Sequence, residues 1–565
     1  DEFGSVETVQ NEVEKNPYIL MTAPRVSFAM ADAVASHLDV AKDDPRRLRA
    51  ATVEVLVNGD RKVQGERDGN TWMPRNDLLD ATGRMLGFSP LKVQDALLQP
   101  PDNAMVAFSD DTMAVFDGNE RVYRAETLRK EQFLADGINR LRSADSPIAE
   151  KIEQIDYDAV FASAPFPPTE EQQAAVRFLL ENKISVLTGG PGTGKSSIVR
   201  IVLAALSAAE VKHVSLCAPT GKAAKRLTDT SGMEATTIHR LAPQLQDTEK
   251  APPSFVIVDE MSMVDTFVAE WLINALPDEC HLLLVGDVNQ LPSIGPGLVL
   301  HDLITAGVPT TTLTQVMRNQ GGILKAVYAM NDGEVVAGGY PDYHHFETAR
   351  PDEVIDRVMW LITQGIPQMY GIPSDEIRVI APQKSKDITK GCGVNRLNVA
   401  LQEALNPASF HKNEVRWYDT TLREGDLLLW TENNYDLDLV NGDEVKVVSI
   451  YEDHDEENNR QTTFVELDDG NKVRLSDLTA VHGWASTVHK AQGSEYQAVV
   501  FVAHTSFNNR LMTRRLTFTA MSRAQKLLVI VGERRALERA AGNTREDTRR
   551  TGLQERLSPS EVDTV

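Results

Sequence analysis

The residues with the clearest chemical meaning form a glycine-rich segment between a predicted strand and a predicted helix. The segment is Gly189-Gly190-Pro191-Gly192-Thr193-Gly194-Lys195-Ser196-Ser197, which contains the pattern G-x-x-x-x-G-K-S. Residues 184–188 before it are apolar and strand-like, and residues 197–209 after it have helical periodicity. In such a loop the glycines let backbone N–H groups face a phosphate, the lysine contacts the β- and γ-phosphates, and the serine hydroxyl ligates Mg²⁺. The pattern predicts that the chain binds and hydrolyses a nucleoside triphosphate.

Two further segments supply side chains for that hydrolysis. The apolar run Phe255–Val258 predicts a buried parallel strand, and Asp259 and Glu260 follow at its carboxyl end. One carboxylate to hold Mg²⁺ and one to polarise the attacking water is the usual division of labour. We therefore assign Asp259 to the metal and Glu260 to the water. A third apolar strand, residues 282–286, leads to Gln290, which we expect to sense the γ-phosphate.

Length, charge and cysteine content restrict the class of protein. The chain has 565 residues, more than one hydrophobic core holds, so we expect roughly three to five domains. Its 58 basic and 82 acidic residues give a net charge of −24, which argues against a basic coat but is compatible with a local nucleic-acid groove. The cysteines, Cys217, Cys280 and Cys392, are too far apart for a metal knuckle or a disulfide framework, which fits a reducing cytoplasm. No apolar run approaches the ~20 residues of a membrane helix, so we expect no membrane association.

The order of predicted elements divides the chain into several units. Strands alternate with helices in two regions, as a doubly wound parallel sheet requires. The second region is interrupted by β-rich residues with turn signals at Asn441-Gly442 and Asp469-Gly470, which predict a small β-barrel. We predict a mainly helical N-terminal domain at 1–142, a linker at 143–168, a first α/β domain at 169–320 with a short insertion at 241–254, a second α/β domain at 321–411 and 481–535, the inserted β-barrel at 412–480, and a polar, frayed tail at 536–565.

Capping signals define the helices of the N-terminal domain. Asp44-Pro45 begins one helix, Asn76 caps a second, and Ser89-Pro90 begins a third. Residues Ala104–Phe108 and Met113–Phe116 then predict a β-hairpin. Three helices and a hairpin suggest a winged-helix-like module, and a helical scaffold without a binding role is an equally good interpretation.

Six segments of the two α/β regions resemble, in order, the helicase motifs of superfamily 1. They are Cys217–Leu227, Thr236–Arg240, Leu284–Pro292, Leu313–Arg318, Thr487–Glu495 and Thr517–Arg523. The resemblance is to the RecD-like branch of the 5′-to-3′ group and covers residues 169–532, and the N-terminal region with Asn16-Pro-Tyr18 and Asp43-Asp-Pro45 is also similar to it. It implies two RecA-like motor domains that close over ATP and Mg²⁺. It further implies a monomeric motor that moves 5′-to-3′ on single-stranded DNA and unwinds tailed duplex DNA.

The resemblance assigns roles around the nucleotide. Arg318 and Arg523 resemble the two arginines that reach across the interdomain cleft to the γ-phosphate, where they stabilise charge in the transition state. Gly493 and Glu495 resemble the segment that touches the γ-phosphate and the ribose. Gln172 resembles the glutamine that binds the adenine edge, although its segment T-E-E-Q is also a capping box, and both interpretations stay open.

A second set of positions resembles residues that line the single-strand track across both motor domains. They are Pro219, Thr220, Thr236, His239, Thr487, His489 and Lys490. Hydroxyls, backbone amides and a lysine suit phosphate contacts that ignore base sequence. The two histidine rings are suited to stacking on bases, and ordinary loop histidines are the alternative interpretation.

One segment departs from the RecD-like pattern. In that group a β-hairpin inserted before the Asp-Glu strand splits the duplex, whereas only residues 241–254 are available here, with Pro243 and Pro252-Pro253 among them. The segment is either a short pin or a loop, so translocation is better supported than duplex separation. A DNA-stimulated ATPase that remodels nucleoprotein, or a motor subunit of a larger complex, therefore stays an alternative.

Overall fold

The computed structural model describes most of the chain. The described residues are 6–558, apart from 24–25, 59–68, 99–113, 118–119, 247–250, 318–320, 386, 388, 435 and 456–459. Within these residues, no helix has both the length and the apolar character that crossing a bilayer requires.

The N-terminal region is mainly helical with one small sheet. Its helices are α1 (Val6–Lys15), α2 (Phe28–His37), α3 (Pro45–Asn58), α4 (Arg75–Leu86), α5 (Pro90–Leu98) and α6 (Ala125–Ser143), and its strands are β1 (Trp72–Pro74), β2 (Ala114–Asp117) and β3 (Arg121–Arg124). The helix starts predicted at Pro45 and Pro90 are confirmed. Asn76 is not a cap, because α4 already begins at Arg75 behind Pro74. The predicted hairpin strand 104–108 lies outside the described residues, and β2 pairs instead with β3.

The predicted linker contributes to a packed core. Residues 143–168 contain two short helices, α7 (Ala149–Glu153) and α8 (Tyr157–Ala162). Ile152 and Phe161 are buried against the helix before the phosphate-binding loop and the helix after it. The linker prediction therefore needs correction, since apolar side chains spaced along these helices bury themselves against the first motor domain.

The first motor domain is a parallel sheet covered by helices on both faces. Its helices are α9 (Glu170–Glu181), α10 (Lys195–Ala208), α11 (Gly221–Ser231), α12 (Ile238–Leu245), α13 (Thr266–Ala275) and α14 (Val299–Thr305), and its strands are β4 (Ile184–Gly189), β5 (Val214–Ala218), β6 (Ala235–Thr237), β7 (Phe255–Val258), β8 (His281–Gly286) and β9 (Thr310–Leu313). The strand order β6-β5-β7-β8-β4-β9 is parallel throughout. Strands β4, β7 and β8 are buried along their whole length, as expected for a sheet with two covered faces.

The second motor domain begins after β9 and is interrupted by an antiparallel unit. Its first part comprises α15 (Gly322–Asn331), β10 (Tyr343–Glu347), α16 (Pro351–Trp360), α17 (Ile366–Tyr370), β11 (Ile377–Ala381) and α18 (Val394–Leu405). The interrupting strands are β12 (Glu414–Trp417), β13 (Thr420–Arg423), β14 (Leu427–Trp430), β15 (Glu444–Asp455), β16 (Arg460–Leu467), β17 (Lys472–Arg474) and β18 (Ala480–His482). They form the hairpin β12-β13 and the antiparallel sheet β17-β16-β15-β14-β18, which confirms the predicted β-rich insertion.

The sheet of the second motor domain is completed after the insertion. The remaining elements are β19 (Ala485–Thr487), α19 (Val488–Ala491), β20 (Tyr496–Ala503), α20 (Arg514–Met521), β21 (Ala524–Gly532), α21 (Arg534–Ala541) and α22 (Leu553–Leu557). The strand order β10-β21-β20-β11-β19 is parallel throughout. Short 3₁₀ turns lie at Pro17–Thr22, Met261–Met263, Ser374–Glu376, Leu475–Asp477 and Arg545–Thr548, and a π-helical turn at Leu361–Gly365 separates α16 from α17.

The C-terminal segment is folded as far as it is described. Leu553 and Leu557 in α22 are almost fully buried against α6 and α14. The prediction of a frayed tail is therefore wrong up to Ser558, because this pair at helical spacing docks an otherwise charged helix. Residues 559–565 lie outside the described part of the chain.

Candidate nucleotide and strand-binding site

The phosphate-binding loop joins β4 to α10. Gly192 and Gly194 have φ of 77° and 91°, a left-handed backbone that favours glycine. Lys195 is the first residue of α10, and its Nζ lies over the loop, donating to the carbonyls of Gly189 (2.5 Å) and Gly190 (3.2 Å). The loop thus combines a helix N-terminus with a lysine held above it, which is the arrangement that binds the phosphates of a nucleotide.

The two predicted carboxylates lie together at the carboxyl end of β7, the strand that is separated from β4 only by β8. Asp259 is partly buried, and this burial, followed by the charge of Glu260, raises its pKa to about 6. Its Oδ1 accepts a hydrogen bond from the Glu260 N–H at 2.8 Å. Glu260 has a φ of 52°, and a non-glycine residue in this region costs about 1–3 kcal/mol unless the surroundings impose it. The local fold therefore holds both carboxylates in a fixed geometry.

The loop after β8 is contacted by the second motor domain on both sides. Gln290 is buried, and its N–H donates to the carbonyl of Asp287 at 3.2 Å. The next residue, Leu291, donates its N–H to Thr519 Oγ1 (2.8 Å) and accepts from Gln492 Nε2 at its carbonyl (2.9 Å). Sequence reasoning gave Gln492 and Thr519 no role, although both lie inside segments that resemble helicase motifs. The structure identifies them as the side chains that couple this loop to the opposite domain.

Arg523 enters the cleft from the second motor domain. It is only 3% exposed, and its guanidinium donates to the carbonyls of Thr519 (3.1 Å) and Ser494 (3.3 Å). Burial lowers its pKa, whereas the nearby charges of Glu260 and Asp287 act in the opposite direction. The structure thus places this cation close to the carboxylates of the first motor domain.

Arg318 itself lies outside the described residues, but the segment before it is tied to the phosphate-binding loop. The Met317 N–H donates to the carbonyl of Gly192 at 2.9 Å. The Glu171 carboxylate accepts from the N–H groups of Thr314 (2.8 Å) and Gln315 (3.1 Å). This chain path brings Met317 to the edge of the loop.

Gln172 completes the capping box that sequence reasoning proposed as the alternative to an adenine contact. Its Oε1 accepts from the Thr169 N–H (3.2 Å), while its own N–H donates to Thr169 Oγ1 (3.3 Å). Its Nε2 lies so close to Gly194 that a Cβ on that glycine would approach it to 2.7 Å. The side chain is therefore capping α9 and also lies against the phosphate-binding loop.

Helix α11 connects the first motor domain to the second one. Arg226 Nη2 contacts Glu495 Oε1 at 2.6 Å, and its Nη1 lies 3.8 Å from Glu260 Oε1. Gly493 belongs to the same predicted motif as Glu495 and also lies close to the first motor domain. A Cβ added to this glycine would be 3.6 Å from Thr220 Oγ1. Arg226 lies inside the quoted motif Cys217–Leu227 but was not predicted as a site residue, because an arginine in a charged helix has no local signal for an interdomain contact.

The predicted strand contacts form two groups at the carboxyl ends of the two sheets. In the first motor domain, Pro219 and Thr220 follow β5, Thr236 lies within β6 and His239 follows it. In the second, Thr487 ends β19, and His489 and Lys490 follow it. Thr220 Oγ1 accepts from the Ala223 N–H at 3.2 Å and caps α11. His239 is exposed with its ring 5.5 Å from that of Trp271. Burial, and then the charge of Lys384, lower the pKa of Lys490 to about 8.

Comparison with known proteins places this fold and site in a family. Over 566 residues the chain is 33% identical to the ATP-dependent RecD2 DNA helicase of Deinococcus radiodurans, and the match covers 97% of this chain and 74% of that protein. The chain belongs to the RecD2 family of ATP-dependent DNA helicases. It is also 31% identical to the RecBCD enzyme subunit RecD of Mycolicibacterium smegmatis over 447 residues, which are 70% of this chain and 76% of that one.

Family models divide this RecD2 family member in the same order as the structure. They match a RecD2 DNA helicase HHH domain at residues 2–71, an AAA domain at 168–348, a RecD-like DNA helicase SH3 domain at 397–466 and a UvrD-like helicase C-terminal domain at 482–531. The HHH match ends at residue 71, so it covers only the first of the three helices on which the winged-helix interpretation rests. A solved Pif1 helicase from Bacteroides, in complex with ADP-AlF₃ and single-stranded DNA, is 17% identical with a TM-score of 0.40, and the alignment covers 66% of this chain and 94% of that one.

Proposed function

We propose that this RecD2 family member hydrolyses ATP with Mg²⁺ to move 5′-to-3′ on single-stranded DNA as a monomer and thereby unwinds tailed duplexes. The supporting observation is the convergence of three features on one cleft. The phosphate-binding loop and the Asp259–Glu260 pair face it from the first sheet, and Arg523 enters it from the second domain. A cleft that needs both domains for hydrolysis is one whose closing and opening move those domains relative to each other.

The donor set of the cleft fits a magnesium ion. Ser196 and Asp259 offer oxygen ligands, which Mg²⁺ prefers. Burial and then the charge of Glu260 raise the pKa of Asp259, and a bound cation would favour its ionised form. When bound, Mg²⁺ neutralises phosphate charge. In this proposal Glu260 orients the attacking water, Gln290 senses the γ-phosphate, and Arg318 and Arg523 stabilise charge on the transferred group.

The remaining predicted residues complete the nucleotide and strand contacts. We propose that Gln172 binds the adenine edge and that Gly493 and Glu495 contact the γ-phosphate and ribose. The strand would run along the carboxyl ends of the two sheets. It would pass over the predicted strand contacts around Thr220 in the first motor domain and around His489 in the second. Because hydroxyls, amides and one lysine dominate this surface, its contacts would be to phosphates rather than to base edges.

Strand displacement with three matched duplexes tests the proposal. A duplex with a 5′ single-stranded tail should be unwound with ATP and Mg²⁺, while 3′-tailed and blunt duplexes should be poor substrates. The variant Glu260→Gln is the control for hydrolysis: it should bind nucleotide but not unwind. Preferential opening of the 3′-tailed duplex would contradict the polarity and leave the hydrolytic site standing.

A second candidate function rests on the segment before β7. Among its described residues, 241–246 and 251–254, there is no strand, and α12 occupies the first part up to Leu245. A motor without a strand-splitting hairpin is better suited to moving along DNA and displacing proteins, or to serving within a larger complex. Vigorous strand-stimulated ATPase activity without unwinding of either tailed duplex would favour this candidate.

A further inference from the structure

The segment between α21 and α22 is anchored by its acidic residues to the second motor domain. Glu546 accepts a hydrogen bond from the Thr513 hydroxyl, and Asp547 Oδ1 pairs with Arg515 Nη2 at 2.5 Å. Both partners lie at the start of α20. The two carboxylates of the turn Arg545–Thr548 are therefore engaged with α20.

The same segment is also joined to the first motor domain and to the N-terminal region. Arg549 Nη1 donates to the carbonyl of Gly297 at 3.2 Å. The Thr71 N–H donates to the carbonyl of Arg550 (2.9 Å), and the Arg550 N–H donates to Asn70 Oδ1 (2.8 Å). Residues 544–550 thus connect three parts of the molecule.

A cavity of about 510 Å³ lies between these parts. Its lining includes Pro292 of the loop after β8, His489 of the predicted strand track, and the arginines Arg510, Arg545, Arg549 and Arg550. The acidic residue in the lining, Glu546, is the one whose carboxylate bonds to Thr513. The lining thus contains four arginines and one glutamate, and the guanidinium of Arg550 also pairs with Asp77 at 3.4 Å.

This concentration of arginines contrasts with the rest of the chain. The protein carries a net charge of −24, yet four arginines line one cavity. Guanidinium groups present planar forks of N–H donors that match the oxygens of a phosphate, which makes phosphate the anion that this lining fits best.

We propose that this cavity binds the phosphodiester backbone of the DNA strand and extends the strand track from His489 to the C-terminal segment. The inference rests on the proposed function, because it takes the position of His489 on that track as its starting point. The site would let one strand contact both motor domains and the N-terminal region at the same time. Arg510 and Arg545 would contact the phosphates, while Arg549 would act mainly by holding the segment against Gly297.

Salt-dependent binding to a labelled oligothymidine tests this site. The double variant Arg510→Gln/Arg545→Gln removes two phosphate contacts, which should reduce the slope of log K against log salt by about 1.4 and lower the affinity at 0.1 M salt about 25-fold. The matched control Arg200→Gln/Arg535→Gln makes the same charge change at exposed positions on α10 and α21 and should bind as the wild type does. Thermal midpoints of both double variants check that the fold is retained.

The outcomes separate this inference from the proposed function. If the wild type binds the oligothymidine and hydrolyses ATP in response to it, but the cavity variant keeps the wild-type slope, the cavity proposal is overturned and the helicase function stands. A loss of affinity confined to a blunt duplex probe would overturn it too, because the site would then hold duplex DNA. Inorganic phosphate that competes with the oligothymidine equally well for the wild type and for the cavity variant would bind outside the cavity. That result would also overturn the cavity proposal. A wild type that does not bind single strands would instead refute the proposed function.

Discussion

Asp259→Asn should make the metal-free protein more stable at neutral pH while abolishing its hydrolytic activity. Burial and the neighbouring Glu260 raise the pKa of Asp259 from 3.8 to about 6, so its charge destabilises the folded state by about 3 kcal/mol once it is ionised. The asparagine has no charge to desolvate, and its Oδ1 can still accept the Glu260 N–H. For a domain of the size of the first motor domain, this gain in stability corresponds to a rise of roughly 6–12 °C in the thermal midpoint.

The stability difference between Asp259→Asn and the wild type should also depend on pH. Below about pH 4 the Asp259 carboxyl is protonated in both the folded and the unfolded state, so variant and wild type should be equally stable. Between about pH 4 and pH 6 the folded wild type binds more protons than the unfolded chain, so its stability falls as pH rises. Above about pH 6 the full difference should be present.

Differential scanning calorimetry in EDTA from pH 4 to pH 8 measures this difference, taken from the transition that includes the first motor domain. Serine at position 259 is not a suitable control, because it changes side-chain volume. Asp158→Asn is a better one, since that carboxylate on α8 is 95% exposed. An Asp259→Asn variant that is less stable than the wild type at pH 8, or equally altered at every pH, would refute the reasoning.

Three further predictions concern contacts of the cleft and of the inserted sheet. Lys195→Ala should lower the ATPase rate by about 10²-fold or more with an unchanged thermal midpoint, because transition-state charge loses its cation. Arg226→Ala should raise the KM for ATP about fivefold, since a partly exposed ion pair with Glu495 contributes up to ~1 kcal/mol, and a double variant with Glu495→Gln should show no additive loss. Glu444→Gln should loosen the inserted sheet by about 3 kcal/mol, measured by limited proteolysis, because it leaves the buried guanidinium of Arg378, and also Lys222, without the carboxylate that pairs with them.

Each of these has an outcome that contradicts it. Near-normal turnover of Lys195→Ala would remove the phosphate-binding loop from the mechanism, and fully additive losses would show that Arg226 and Glu495 act separately. For Glu444, burial opposes ionisation, but Arg378 and Lys222 outweigh it and lower the pKa. Its contribution should therefore be present at neutral pH and be lost as pH falls through that lowered pKa, and protection from proteolysis that does not change with acidification would contradict this account.

Local patterns in the sequence determined those parts of this protein whose chemistry depends on residues close together in the chain. The phosphate-binding loop requires glycines, a lysine and a serine at fixed spacing, and the structure has that loop between β4 and α10. The strands of the insertion were likewise predictable, because the turns at Asn441-Gly442 and Asp469-Gly470 and the β-rich residues on either side of them are local signals.

Strands at the margins of the second sheet lacked such local signals. Strand β10 has the sequence YHHFE and β19 has AST, and neither has the apolar run or alternation that identifies a strand. Both become strands because a neighbouring strand, β21 for β10 and β11 for β19, supplies their hydrogen bonds. The sequence around them contains no information about that pairing.

Only the tertiary structure decided which side chains meet across the domains. Arg226 pairs with Glu495, Gln492 bonds to the Leu291 carbonyl, and the arginines of residues 545–550 converge with His489, although these partners lie far apart in sequence. Nothing in a charged helix or tail distinguishes a solvated arginine from one that faces another domain. The difference arises from burial and from the electrostatic environment, which exist only once the chain has folded and brought distant segments together.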